Sequence, residues 1–192
     1  IYYLFFTLME KEIKLTIIGD ENTGKTTFLK IINKSYDFNF DEYQPTISAQ
    51  FLQKRIIFNN TLFKINIWDT VGQERFTSLA KIFVQEAQIV FIFYNNNDRK
   101  SFERAKIFFE IAKNIPQKIK NIIYFLIANK YDLTKDSKKE TVTDEEVYEF
   151  VDKNNIHFTH LSFKEKYSNN INELLKKALK EYIRKKDKIG RA

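Results

Sequence analysis

A chain of 192 residues with 43% hydrophobic side chains is long enough to bury a sizeable core and short enough to form one domain. It has no cysteine, which excludes disulfides, thiolate metal centres, cysteine nucleophiles and any lipidatable thiol within these residues, and fits a reducing compartment. The formal charge of +7 gathers in the last helical stretch (Lys176, Lys177, Lys180, Arg184, Lys185, Lys186, Lys188), where a solvated face is the expected role ahead of an anionic membrane or nucleic-acid surface.

Residues 1–8, IYYLFFTL, are apolar but too short to span a bilayer, and they lack the basic start and small-residue cleavage site of a signal peptide. The only methionine, Met9, stands where a domain opening on MEKEIKLTIIGD would begin. Residues 1–8 are therefore read as a leader or extraneous residues, 9–186 as the domain and 187–192 as the start of a tail.

Ile13 to Ile18 is an apolar run that predicts a buried strand, and Phe28 to Ile32 carries a helical pattern. Between them lies Gly19-Asp20-Glu21-Asn22-Thr23-Gly24-Lys25-Thr26, a G-x-x-x-x-G-K-T sequence in the strand–loop–helix setting that a phosphate loop requires. Gly19 and Gly24 allow the backbone to close around phosphate oxygens. The N–H groups of Glu21, Asn22, Thr23, Gly24, Lys25, Thr26 and Thr27 can face the anion, the Lys25 ammonium can reach the outer phosphates, and the Thr26 hydroxyl can ligate Mg²⁺.

A polar, aromatic-rich stretch then runs to Pro45. Residues 49–58 and 61–68 flank Asn59-Asn60, a hairpin signal. The runs 88–94 and 121–128 are continuously apolar, as strands buried on both faces of a parallel sheet are. Between them 101–114 has helical spacing, with Phe102, Ala105, Phe108, Phe109 and Ala112 inward. Thr143 and Glu146 form a capping box opening a helix to about Lys153, Ile156 to Leu161 makes the last strand, and Ile171, Leu174, Leu175, Ala178, Leu179, Tyr182 and Ile183 stripe a closing amphipathic helix. Such alternation predicts a doubly wound α/β sheet that binds ligands at the carboxyl ends of its strands.

Four further clusters fall at that edge. Asp69 ends the second hairpin strand, placed to hold Mg²⁺ through a water. Gly72 lets its N–H approach a γ-phosphate, and Gln73 can orient an attacking water. Asn129-Lys130-Tyr131-Asp132 follows the strand 121–128. The Asp132 carboxylate can accept from N1–H and the exocyclic amine of guanine, a pairing adenine cannot offer, while Asn129 can tie this loop to the phosphate loop and the Lys130 stem can cover the base. Thr46 can join the Mg²⁺ shell only when a third phosphate is present, which makes its segment a nucleotide-sensitive switch. Ser162, Phe163 and Lys164 can close over the guanine edge through backbone N–H groups.

From Lys11 to Arg184 the chain resembles a Ras-superfamily small GTPase, and its Rab branch in particular, with all five motifs in family order. The Rab likeness rests on Ile67 to Phe76 (IWDTVGQERF), on Tyr43 to Ile47 (YQPTI) and on Phe51, Trp68 and Phe83, which match the aromatic triad Rabs offer to effectors. Ala49 to Leu52, Ser78 to Ala80 and Ser101 to Lys106 look most like early-endosomal Rabs. The resemblance implies a P-loop NTPase small G domain: a six-stranded, mostly parallel sheet with one antiparallel hairpin strand and helices on both faces. It implies a GTP/GDP switch with Mg²⁺, catalysis by Gln73 and Lys25, and a metal shell of Thr26, Thr46 and Asp69. Phe38 or Phe40 would stand against the guanine, with Tyr43 among the nucleotide contacts. Effectors, exchange factors and GTPase-activating proteins would meet Thr46 to Phe51, Trp68 and Gly72 to Phe83. A monomer that does not bind nucleic acid, cytoplasmic and cycling to intracellular, endosomal-type membranes in vesicle traffic, is expected.

The chain departs from the family pattern at several places. Glu21 puts a carboxylate where relatives have a small residue, and Val71 replaces Ala before Gly72; both crowd the γ-phosphate, so slow hydrolysis is expected, with a GTP-locked scaffold as the alternative. Phe163 replaces a small residue and needs a pocket for its ring. Asn95-Asn96-Asn97-Asp98 replaces the family's D-I-T-N run. The family's prenylated C-terminal cysteines have no counterpart in these residues, leaving membrane attachment open.

Overall fold

Alternate positions of the first strand are buried on opposite sides: Ile13, Leu15 and Ile17 join one core cluster and Ile18 the other, so the strand needs cover on both faces. The computed structural model describes residues 9–33, 50–69, 82–116, 122–132, 142–163 and 169–189. Among these, β1 (Met9–Gly19) is joined by β2 (Gln50–Phe58), β3 (Thr61–Asp69), β4 (Ile89–Asn95), β5 (Ile123–Asn129) and β6 (His157–His160) in one sheet of order β2-β3-β1-β4-β5-β6. The β2–β3 pair is antiparallel and every other pair is parallel. The turn between β2 and β3 places Asn59 and Asn60 at φ 47° and 55°, the paired left-handed conformation of a hairpin that asparagine tolerates.

Four helices cover the sheet among the described residues: α1 (Lys25–Ile32), α2 (Arg99–Lys113), α3 (Asp144–Asn154) and α4 (Asn169–Ile189). Phe28 and Leu29 of α1 and Leu174, Leu175 and Leu179 of α4 pack on the face carrying Ile13, Leu15, Phe63, Phe91 and Phe125. Phe102, Ala105, Phe108 and Phe109 of α2 and Val147 and Val151 of α3 pack on the face carrying Ile18, Val90, Ile92, Tyr94 and Leu126. β4 and β5 lie between these layers and are buried almost throughout, which explains their unbroken apolar sequences. β2 lies at the edge and alternates exposed and half-buried positions.

The expected elements are present with shifted ends. β1 begins four residues before the apolar run, because parallel pairing with β3 continues from Met9 beside Thr61 although these residues are exposed. α1 starts at Lys25, three residues before its apolar stripe, since the phosphate loop itself sets the first turn. α2 begins at Arg99, capped by the Asp98 side chain, which accepts from the Lys100 N–H. β5 starts two residues later than its apolar run and ends on Asn129, and β6 is trimmed to His157–His160. The capping box of α3 is present as expected, with Thr143 and Glu146 bonding each other's backbone N–H. α4 continues to Ile189, past the Ile183 that closes its apolar stripe, because lysine and arginine propagate a helix once its stripe has nucleated it.

Candidate functional site

The chain leaves β1 to build β3 and β2 on one side, then returns to build β4, β5 and β6 on the other. The carboxyl end of β1 is therefore where a crevice opens. The register aligns the ends: Ile17 lies beside Asp69, Gly19 beside Phe93, Asn95 beside Asn129, and Ala128 beside His160. The expected phosphate, metal and base residues on described segments thus share one sheet edge.

Two glycines make the loop after β1 possible. Gly19 has φ 144°, and a methyl group there would overlap the Phe93 carbonyl; Gly24 has φ 95°, and a methyl group there would overlap the Asn129 amide. Gly24 is also the residue before α1, a helix with no side-chain cap and no acidic residue in its first turn, whereas α2 and α3 are capped by Asp98 and Thr143. α1 thus opens with neither a side-chain cap nor an acidic residue, the setting in which a helix N-terminus favours an anion. The loop is braced from within. Thr23 Oγ1 donates to the Asp20 carbonyl at 2.8 Å, and the buried Lys25 curls back to donate through Nζ to the Gly19 carbonyl and, at 2.8 Å, to that of Asp20. Glu21 and Asn22 are exposed, and the Glu21 N–H is bonded to Asp20 Oδ1 at 2.9 Å.

Asp69 ends β3 with no solvent exposure. The Thr26 hydroxyl donates to its Oδ2 at 2.9 Å, while Oδ1 has no partner. Burial pushes this carboxyl up to about 6, against the lowering effects of the Lys25 charge and the Thr26 hydrogen bond. A buried carboxylate oxygen without a donor, next to a threonine hydroxyl, suits a hard divalent cation. These residues fit Mg²⁺: Asp69 and Thr26 would hold it, and it would supply the missing positive charge.

At the base end, Asn129 is buried and donates through Nδ2 to the Thr23 carbonyl at 2.7 Å, joining the two loops as expected. Lys130 takes φ 60° and sends Nζ to Asn22 Oδ1 at 3.0 Å; burial of its stem lowers its pKa. The Ser162 hydroxyl donates to Asp132 Oδ1 at 2.6 Å, and the Tyr131 N–H to the Leu161 carbonyl at 3.3 Å. The Phe163 ring finds its pocket against Phe28 of α1, with centroids 6.5 Å apart, and borders the position a Gly24 side chain would need. Beside the Asp69 end of β3, Phe51, Trp68 and Phe83 form a contiguous aromatic row, with centroids 4.9 and 6.2 Å apart. Phe38, Phe40, Tyr43, Thr46, Val71, Gly72, Gln73 and Lys164 lie outside the described residues.

Several contacts escaped the sequence reading. Arg104 of α2 pairs with Asp20 at 2.7 Å, anchoring the phosphate loop to a helix 84 residues away. Asn97 Nδ2 donates to the Lys130 carbonyl at 3.0 Å, and Ser162 acts on Asp132 through its side chain where only backbone donation was expected. Partners so distant in sequence leave no local signal. Among the described residues no cluster of three or more His, Cys, Asp or Glu side chains could hold a different metal, and no helix is long and apolar enough to cross a membrane.

Residues 14–184 match the family model described as Ras family. The chain belongs to the Ras family, in its Rab branch. It is similar to Ras-related protein Rab-5A of Dictyostelium discoideum, 34% identical over 164 residues that cover 85% of this chain and 77% of that protein. It is also similar to Ras-related protein RABG3f of Arabidopsis thaliana (37% identical) and Rab7 of Cenchrus ciliaris (36%), each over 124 residues. Those alignments cover 63% of this chain and span only 59% of the length of either relative. For a Ras-family chain, a doubly wound sheet with one antiparallel hairpin pair is the architecture its sequence called for.

Proposed function

We propose that this protein is a Rab-like small GTPase, a switch that binds GTP and GDP, hydrolyses GTP slowly to GDP and phosphate, and acts in vesicle traffic. The observation that carries the reading is the convergence of Lys25, Asp69, Asn129 and Asp132 on one sheet edge.

In this reading the loop N–H groups and the Lys25 ammonium neutralise phosphate charge as it shifts toward the leaving oxygen. Mg²⁺, held by Thr26, Asp69 and Thr46, would contribute further charge stabilisation. Gln73 orients the attacking water in line with the γ-phosphate. Asp132, steadied by Ser162, accepts from the two guanine N–H groups, and the Lys130 stem covers the base, with Phe38 or Phe40 on its other side. Thr46 and Gly72 bond to the γ-phosphate region and release when it leaves, so the aromatic row Phe51, Trp68 and Phe83 presents two surfaces to effectors, exchange factors and activating proteins. The Rab5 and Rab7 names among the relatives support cycling to endosomal membranes. Family membership does not favour the GTP-locked scaffold, and Glu21 and Val71 are read as slowing hydrolysis without abolishing it.

The test is to purify the protein, extract its nucleotide and follow a single turnover of loaded GTP. Recovered GDP, or GTP converted to GDP in a Gln73-dependent step, supports the reading. An adenine nucleotide, or permanently retained GTP, overturns it.

A further inference from the structure

The asparagine run after β4 is committed to the loop after β5. Asn95 lies beside Asn129 in the sheet register, and the Asn96 N–H donates to the Asn129 carbonyl at 3.0 Å. The Asn95 side chain accepts from the Asn97 N–H at 3.1 Å, which orients Asn97, and Asn97 Nδ2 then donates to the Lys130 carbonyl at 3.0 Å. Lys130 is in the left-handed region at φ 60°, a conformation that a side chain with a Cβ keeps only when its surroundings hold it there. It is held at two points: the carbonyl by Asn97 and the ammonium by Asn22, 3.0 Å away. The peptide gripped by Asn97 leads directly to Asp132. One oxygen of that carboxylate accepts from Ser162, and the direction in which the carboxylate faces depends on the backbone that carries it.

We propose that Asn97 is a positioning residue for purine recognition, fixing the Lys130 turn from which Asp132 addresses the exocyclic amine of guanine. The inference rests on the guanine reading above. Asn97 touches no part of the nucleotide in this account; it acts through the backbone of Lys130. Its loss relaxes the aim of Asp132 while leaving the phosphate loop, with its own bonds among Gly19, Asp20, Thr23 and Lys25, in place.

The experiment measures GDP and inosine diphosphate affinities by displacement of a fluorescent nucleotide from the full chain with Mg²⁺. The two ligands differ only in the exocyclic amine, so their affinity ratio isolates that one hydrogen bond. Phosphate contacts, metal and general stability cancel. The unaltered protein should prefer GDP by about tenfold or more. Asn97→Asp, nearly isosteric but unable to donate to a carbonyl, should cut that ratio about fivefold, the worth of one neutral hydrogen bond. Asn97→Ala serves where the aspartate variant does not fold. Phe109→Ala, which destabilises the fold from the core between α2, β5 and α3, should leave the ratio unchanged. An unchanged ratio in the Asn97 variants, or an equal fall in Phe109→Ala, overturns the positioning role while leaving the guanine reading standing. Equal affinity for GDP and inosine diphosphate in the unaltered protein overturns both.

Discussion

Asp69→Asn should stabilise the empty protein, although it removes a residue the function needs. The carboxyl is wholly buried, one oxygen has no partner, and its pKa is raised from 3.8 to about 6. A proton bound more tightly in the folded state favours folding where the folded carboxyl is protonated and the unfolded one is not. Stability therefore falls as pH rises from about 4 to about 6, and the full penalty is present at neutral pH. At about 1.4 kcal/mol per unit, a two-unit shift corresponds to about 3 kcal/mol. An asparagine can still accept from Thr26 but leaves its own NH₂ without an acceptor, so the net gain should be about 1–2 kcal/mol. The assay is urea unfolding of nucleotide-stripped protein in chelator at pH 7.5 and at pH 4.5. Asp69→Asn should exceed the parent at pH 7.5 and lose that advantage at pH 4.5, and with GDP and Mg²⁺ the order should reverse. A variant less stable than the parent at pH 7.5 in chelator would refute the claim that Lys25 and Thr26 offset the burial of this carboxylate only in part.

Gly24→Ala should abolish nucleotide binding measured by fluorescent-GDP titration, because the added methyl meets the Asn129 amide at a left-handed φ of 95°. Asp132→Ala should weaken GDP by about a hundredfold, the loss of two charge-assisted hydrogen bonds, and remove the acceptor 2.6 Å from the Ser162 hydroxyl; the same titration reads it. Phe109→Ala should cost about 3–5 kcal/mol in urea unfolding, since the ring is 2% exposed and packs edge-on to Tyr124 and Phe150, yet should leave the preference for GDP over ADP intact.

What the sequence disclosed and what it hid divide along a physical line. Phosphate-loop glycines, the apolar β4 and β5 runs and the Thr143–Glu146 box are local: spacing alone requires a close backbone, a strand covered on both faces, or a helix start. The loop after β5 was legible because it follows such a strand. The pairs Asp20–Arg104, Asn97–Lys130 and Lys130–Asn22 were not, because each joins residues 33 to 108 positions apart that only the sheet order brings together. Element ends were misplaced for a related reason. Pairing with β3 carries β1 back to Met9 through exposed residues that no hydrophobic pattern marks, and α4 runs beyond its apolar stripe to Ile189.

The central claim is that one sheet edge encloses a guanine nucleotide. Calorimetric titration of the nucleotide-stripped full chain with GDP and with ADP, each with Mg²⁺, tests it most directly. The account predicts a preference for GDP of at least about a thousandfold, because the half-buried Asp132 carboxylate facing adenine meets no donors. Equal affinities, or heat from neither nucleotide, would contradict it.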